Sequence, residues 1–136
     1  MPMTVEFEAP AFGAPYRVLV LGAAMQGWYD ADDETRRDKV LPRFASLMEE
    51  WRALGARVLA TLDDDLFMTG PPAAVHFSWY LMFELDSLET LAAMTQRVRE
   101  TVDGVRMDKY VRFQARIGRP FFLLEAEGAR TASEDL

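Results

Sequence analysis

The chain contains no cysteine. Disulfides, thiolate metal centres and cysteine nucleophiles are excluded, and the reducing cytoplasm is the expected compartment. Histidine is nearly as scarce, with His76 alone. A zinc site takes about four ligands, usually several of them His or Cys, so no metal is expected. A haem needs only one axial His, but nothing else in the sequence supports one. Positive charge is short as well: 15 Lys and Arg stand against 22 Asp and Glu, a net charge of −7. Such a surface repels a phosphate backbone, so nucleic acid is not an expected partner. The longest apolar run, Val18 to Met25, falls well below the roughly 20 residues that span a bilayer. The opening MPMTVEFEAPAFGAPYR lacks a basic region followed by an apolar one, so neither a signal peptide nor a membrane partner is expected. No G-x-G-x-x-G, P-loop, G-x-S-x-G or H-E-x-x-H pattern occurs. Nucleotide cofactors and serine triads therefore have no support, and no cofactor is expected.

What is present is a compact globular composition. Half of the 136 residues are hydrophobic and 12% are aromatic, enough for one domain with a substantial core. Residues 1–15 are punctuated by Pro and Gly and read as an N-terminal arm. Residues 125–136 are small and polar and read as a flexible tail. The domain is expected to span residues 16–124.

Tyr16 to Leu21 is rich in β-branched and apolar residues and predicts a strand. The acids Asp30, Asp32, Asp33 and Glu34 suit a helix N-terminus. Val40, Leu41, Phe44, Leu47, Met48, Trp51 and Leu54 then mark one helical face, with Gly55 as its stop. Pro42 predicts a kink or a restart in that helix. Arg57 to Asp63 and His76 to Leu85 predict two further strands. Asp86-Ser87-Leu88-Glu89 has the form of a capping box, opening a helix with Leu88, Leu91, Ala92, Thr95, Val98 and Val102 on one face and an end near Gly104. Tyr110 to Ile117 predicts a fourth strand, and Phe121 to Leu124 a short fifth. The order β-α-β-β-α-β predicts an α+β fold of ferredoxin-like type: an antiparallel sheet with two helices on one face.

Alternation sorts each strand into two faces. Val58, Ala60 and Leu62, with Phe77, Trp79, Leu81, Phe83 and Leu85, and with Val111, Phe113, Ala115 and Ile117, form the expected helix side. The opposite face carries Arg57, Leu59, Thr61 and Asp63, then His76, Ser78, Tyr80, Met82 and Glu84, then Arg112, Gln114 and Arg116. A solvated face is the ordinary reading of such a set. This one lacks Lys and holds the sole His beside Tyr, Met and Gln, a mixture suited to a half-buried cavity. The aromatic third strand invites comparison with RNA-recognition sheets, but the net charge and the missing RNP1 pattern oppose it.

The element order, the length and the semi-polar sheet face together resemble the dimeric α+β barrel superfamily, over Tyr16 to about Leu124. That resemblance implies a homodimer of face-to-face sheets with a small-molecule cavity in each subunit. Its members include cofactor-free monooxygenases, isomerases and proteins without known catalysis, so it carries little functional specificity. More narrowly, LATLDDDLFMTGPP with KYVRFQARIGRP resembles a small protein encoded with enzymes of indole-3-acetate catabolism. This implies a small aromatic acid as ligand and leaves two roles open: a cofactor-independent enzyme, or a non-catalytic accessory binding protein.

Individual residues then take candidate roles. His76, with an unperturbed pKa of about 6.5, is the candidate base, and Tyr80 the candidate hydrogen-bond donor. Arg112 and Arg116, two apart with Gln114 between, suit a carboxylate. The competing reading pairs those arginines with Glu84 or Asp63 in a cross-strand ion network. The run Asp63-Asp64-Asp65 cannot aim three carboxylates at one ion from an extended segment, and it reads as a strand exit into the Gly-Pro-Pro turn. Asp63 alone, with Thr61, is expected to border the ligand site.

Overall fold

The computed structural model describes residues 13–71, 76–121 and 123–124. Nearly all of the expected arm and the whole tail from residue 125 lie outside the described residues. Strand β1 (Tyr16–Ala24) is followed by the short helices α1 (Gln26–Asp30) and α2 (Asp33–Thr35), a π-helical turn (Arg36–Val40) and helix α3 (Leu41–Ala53). Strands β2 (Arg57–Asp63) and β3 (Trp79–Leu85) precede helix α4 (Leu88–Arg99). A small hairpin of β4 (Thr101–Val102) and β5 (Val105–Arg106), then a 3-10 turn (Met107–Lys109), lead into β6 (Val111–Gly118). The architecture is α+β. Its main sheet is antiparallel, with four strands in the order β2-β3-β1-β6.

Local chemistry explains most element ends. The Asp32 carboxylate accepts a hydrogen bond from the Thr35 amide at 2.7 Å and starts α2. Pro42 stands at the start of α3, directly after the π-helical turn, and Val40 and Leu41 keep helical dihedrals. The irregularity expected at Pro42 thus takes the form of a change from π-helical to α-helical pairing without a break in the chain's helical path. Gly55 closes α3 with φ +111°, a left-handed conformation that favours glycine. Ser87 caps α4 by accepting from the Thr90 amide at 3.3 Å.

The buried face of α4 differs from the expected one. Met94 and Val98 are its buried residues, while Leu88, Ala92 and Thr95 are exposed. The helix also stops at Arg99, five residues before Gly104. After the cap residue Glu100, Thr101 to Arg106 build the hairpin instead, its turn formed by Asp103 (φ 53°) and Gly104 (φ 80°). Asp-Gly supplies two left-handed residues at low cost, which is what a two-residue hairpin loop requires. No strand forms at Phe121; Leu124 instead donates to the Phe121 carbonyl in a turn. The third strand begins at Trp79, so His76, Phe77 and Ser78 precede it.

The core lies between one sheet face and helices α3 and α4. Val18, Val20, Phe83 and Leu85 from the sheet meet Leu47 and Trp51 of α3 and Met94 and Val98 of α4. A ring cluster spans these layers. Trp79 packs edge-on to Phe44 at 5.5 Å and to Phe113 at 5.6 Å, and Trp51 edge-on to Phe113 at 5.8 Å and to Phe83 at 5.6 Å. Edge-to-face pairs at these spacings align ring edges with ring faces. Gly22 makes the cluster possible. It pairs with both Trp79 and Phe113 across the sheet, and a Cβ at this position would fall inside the Trp79 indole.

Arg43 is the buried charged residue of the described chain, 4% exposed. Its guanidinium donates to the Glu50 carboxylate, to Ser46 Oγ at 2.9 Å and to the Arg97 carbonyl at 3.3 Å. Glu50 also faces Arg97 Nη1 at 3.6 Å. This network ties α3 to α4 at the edge of the apolar core.

Because the indole occupies the space above Gly22, Gly22→Ala is expected to lower stability by about 1–3 kcal/mol through overpacking. Gly118→Ala, where a Cβ meets nothing within 4 Å, is expected to stay within about 0.5 kcal/mol of wild type. Denaturant melts of the two variants check the contrast.

Candidate functional site

Cross-strand register defines the uncovered sheet face. Arg57, Glu84 and Arg17 form one row, Ala60, Met82, Leu19 and Arg116 the next, and Leu62, Tyr80, Leu21 and Gln114 the third. Beyond them Ala23 pairs with Arg112. The register of β2 shifts between Val58 and Ala60. A bulge inserts one residue and reverses the parity of everything after it. Thr61 therefore pairs with Leu81 and Asp63 with Trp79, the parity of the helix-covered face. This corrects the alternation read from the sequence: Ala60 and Leu62, not Thr61 and Asp63, share the face of Tyr80.

Three cavities adjoin the sheet. On the uncovered face, a hollow of about 330 Å³ is lined by Leu19, Ala60, Thr61, Leu62, Tyr80 and Met82. It shares Leu19 and Met82 with a second hollow of about 300 Å³, which also has Arg17, Arg116, Arg119 and Phe121 on its walls. The third cavity lies on the helix side, between α4 and the β6 edge, and measures about 360 Å³. Trp51, Leu91, Met94, Val98 and Phe113 make its apolar wall, and Thr95, Arg99, Asp108, Arg112 and Gln114 supply its polar groups.

The candidate residues are thus divided among sites. Tyr80 and Thr61 border the first hollow, Thr61 from a register position of the helix-covered parity, and Arg116 borders the second; Arg112 and Gln114, on the uncovered face by register, also line the chamber because it opens at the β6 edge. His76 is exposed and, like Asp63, lines none of the three. The chamber adds residues that sequence reasoning missed, Arg99 above all. The signal was present: Thr95 and Arg99 follow Leu91 at i+4 and i+8, so they border the apolar stripe of α4.

Ion pairing separates the arginines. Glu84 is taken by Arg57 at 3.0 Å, and the same guanidinium holds Asp86 at 2.9 Å. Arg57 keeps the Asp86 carboxyl below its ordinary pKa, first through the hydrogen bond and then through charge. Neither Glu84 nor Asp63 pairs with Arg112 or Arg116, and the cross-strand ion pair of the competing reading is made by Arg57 instead. Among the described residues, Arg99, Arg112 and Arg116 have no carboxylate partner. Asp108 in the chamber wall is already held by Arg106, at 2.7 and 2.9 Å.

Tyr80 is anchored at the mouth of the first hollow. Its hydroxyl lies 3.1 Å from Asp64 Oδ2 and 3.1 Å from the Phe77 carbonyl oxygen, either of which can accept its proton. Desolvation, then the hydrogen bond to Asp64 and the negative charge there, push its pKa above the usual phenol value. The phenol thus stays a donor at neutral pH. Among the described residues no group of three His, Asp or Glu side chains is arranged to hold a metal ion. None of the described helices is long and apolar enough to cross a membrane.

No protein-family model matches the chain, and no curated protein matches it. A solved structure is similar in fold: the crystal structure of a protein of unknown function from Rhodopseudomonas palustris, at a TM-score of 0.50 and 18% identity. The match covers 79% of this chain and 82% of that one. At this identity the likeness concerns the α+β fold and not the site.

The raised Tyr80 pKa sets a pH dependence. A folded-state value above the unfolded one contributes stability that is fully present below about pH 10 and lost as pH rises through the folded value. The stability difference between wild type and Tyr80→Phe is therefore expected to narrow above about pH 10. Urea midpoints of both proteins between neutral and strongly alkaline pH check this; a constant gap would show that the phenol is not held protonated by folding.

Proposed function

We propose that this protein binds a small aromatic carboxylic acid in the α4–β6 chamber, as a homodimer whose uncovered sheet faces meet. The observation that carries the binding reading is the chamber itself. Its volume of about 360 Å³ lies within the roughly 300–1,000 Å³ of ordinary ligand pockets. Aromatic rings from Trp51 and Phe113 form one wall, and Arg99 and Arg112 stand on its lining without a carboxylate partner among the described residues. In a chain of net charge −7, arginines left without carboxylates along an apolar hollow favour an anionic, ring-bearing ligand. Indole-3-acetate is the natural probe for that class.

The finer fold reading has support of its own. The order β2-β3-β1-β6 with α3 and α4 on one face is the arrangement expected of a ferredoxin-like sheet. The uncovered face presents Leu19, Leu62, Tyr80 and Met82 in neighbouring rows, with Leu62 63% exposed. An apolar surface of this kind is best covered by its own copy through a two-fold contact.

Binding is favoured over turnover. Asp108, the carboxylate of the chamber, is engaged by Arg106, and His76 and Tyr80 lie outside the chamber lining. A catalytic role for Tyr80 and His76 would require the ligand on the uncovered face. The neighbouring hollows that share Leu19 and Met82 favour this second reading, since they join an apolar floor to Arg116.

Calorimetric titration separates the two sites. A buried charge-assisted hydrogen bond contributes roughly 1.5–3 kcal/mol, so indole-3-acetate is expected to bind about ten- to a hundredfold more tightly than its amide. Arg99→Ala or Arg112→Ala is expected to remove most of that preference, with Arg116→Ala leaving it intact. Loss of the preference in Arg116→Ala alone would place the ligand on the uncovered face. Equal binding of acid and amide by wild type would end the anion reading.

A further inference from the structure

We propose that the chain leaving β2 is a lid acting in trans: the segment Asp64–Met68 of one copy closes the α4–β6 chamber of a second copy. The inference rests on the chamber and the two-fold pair proposed above, and gives each site residues from both chains.

The first observation is exposure. Leu66, Phe67 and Met68 are 96%, 78% and 56% exposed, three consecutive large apolar side chains that folding of one chain leaves in water. The second is charge. Three carboxylates, Asp63, Asp64 and Asp65, directly precede those apolar residues. Asp64 takes the Tyr80 hydroxyl, while Asp63 and Asp65 have no basic partner among the described residues. The chamber offers the complement: Arg99 and Arg112 likewise unpaired, beside an apolar lining. An acidic stem followed by apolar side chains matches a cationic rim around an apolar hollow in the same order.

The third observation is position. Asp63, Trp79, Gly22 and Phe113 lie in one row across the sheet, and Arg112 pairs with Ala23 immediately beyond. The lid thus leaves the β2 edge at the sheet end where the chamber opens on the β6 edge. Within one copy these edges are separated by β3 and β1. A two-fold axis parallel to the strands brings β2 of one sheet opposite β6 of the other and keeps the ends matched. Packed sheets lie about 10 Å apart. The five residues Asp64–Met68 follow the end of β2, and at up to roughly 3.3 Å per residue they extend about 16 Å, enough to cross that gap and reach the β6 edge.

Hydrogen–deuterium exchange of the full chain, without ligand and at a concentration where light scattering gives a dimer, tests the proposal. Amides of Leu66, Phe67 and Met68 are expected to exchange at least about tenfold more slowly than an unstructured chain. Asp65→Lys, on the exposed lid, and the double variant Arg99→Glu/Arg112→Glu are each expected to abolish that protection while the dimer persists. Rapid exchange in the wild-type dimer would overturn the lid. So would protection that survives both variants, because the segment would then be ordered on its own subunit. A wild-type monomer would overturn it too. Calorimetry keeps the chamber reading separate: an Arg99-dependent preference for acid over amide, with a rapidly exchanging lid, removes the lid alone.

Discussion

The stacking of the Trp79 indole over Gly22 is the constraint from which the rest of this structure follows. The ring needs the space where any other residue would carry a Cβ. Once seated, it touches Phe44 on α3 and Phe113 on β6, and Phe113 in turn meets Trp51. One close approach therefore aligns three strands and positions α3 above them. It also sets the chamber, because Phe113 and Trp51 are both part of its wall. Interiors pack at the density of organic crystals, so a shift of the indole would be felt at every one of these contacts.

Charge is organised around this apolar frame. The acidic surface absorbs most of the arginines: Arg36 onto Asp33, Arg52 onto Glu49, Arg57 onto Glu84 and Asp86, Arg106 onto Asp108. Exposed pairs of this kind contribute little stability each. Their consequence is selective, because they leave Arg99, Arg112 and Arg116 without carboxylates among the described residues. Arg43 shows the opposite regime. Buried between α3 and α4, it is stabilised by Glu50, Ser46 and a backbone carbonyl, since an unpaired guanidinium there would be strongly unfavourable.

Much of the fold was legible because local rules and tertiary packing agree. β2 ends where alternation ends, Gly55 stops α3 in a left-handed conformation, and Ser87 caps α4. The misses have physical causes. Val102-Asp103-Gly104-Val105 carries the Asp-Gly signature of a tight hairpin, and helical periodicity carried the reading past it. The bulge at Leu59 left no such mark. A bulge is a relation between two strands, and alternation within one strand cannot reveal it, so Thr61 and Asp63 were assigned to the wrong face.

The candidate site divides along the same line. Residue chemistry alone singled out Arg112, Gln114 and Arg116 as a polar stripe on one strand, because period-two alternation is a property of the chain itself. Which of them serve a common cavity was decided by neighbours distant in sequence. Arg57 captured Glu84, removing a carboxylate that the ion-network reading assigns to Arg112 and Arg116. α4 brought Arg99 onto the chamber that Arg112 also lines, while Arg116 went to a different hollow with Arg119. A sequence specifies charges, ring sizes and the period at which they recur. Long-range contacts decide which charges are neutralised and which rings enclose space, since both depend on distances that only packing sets.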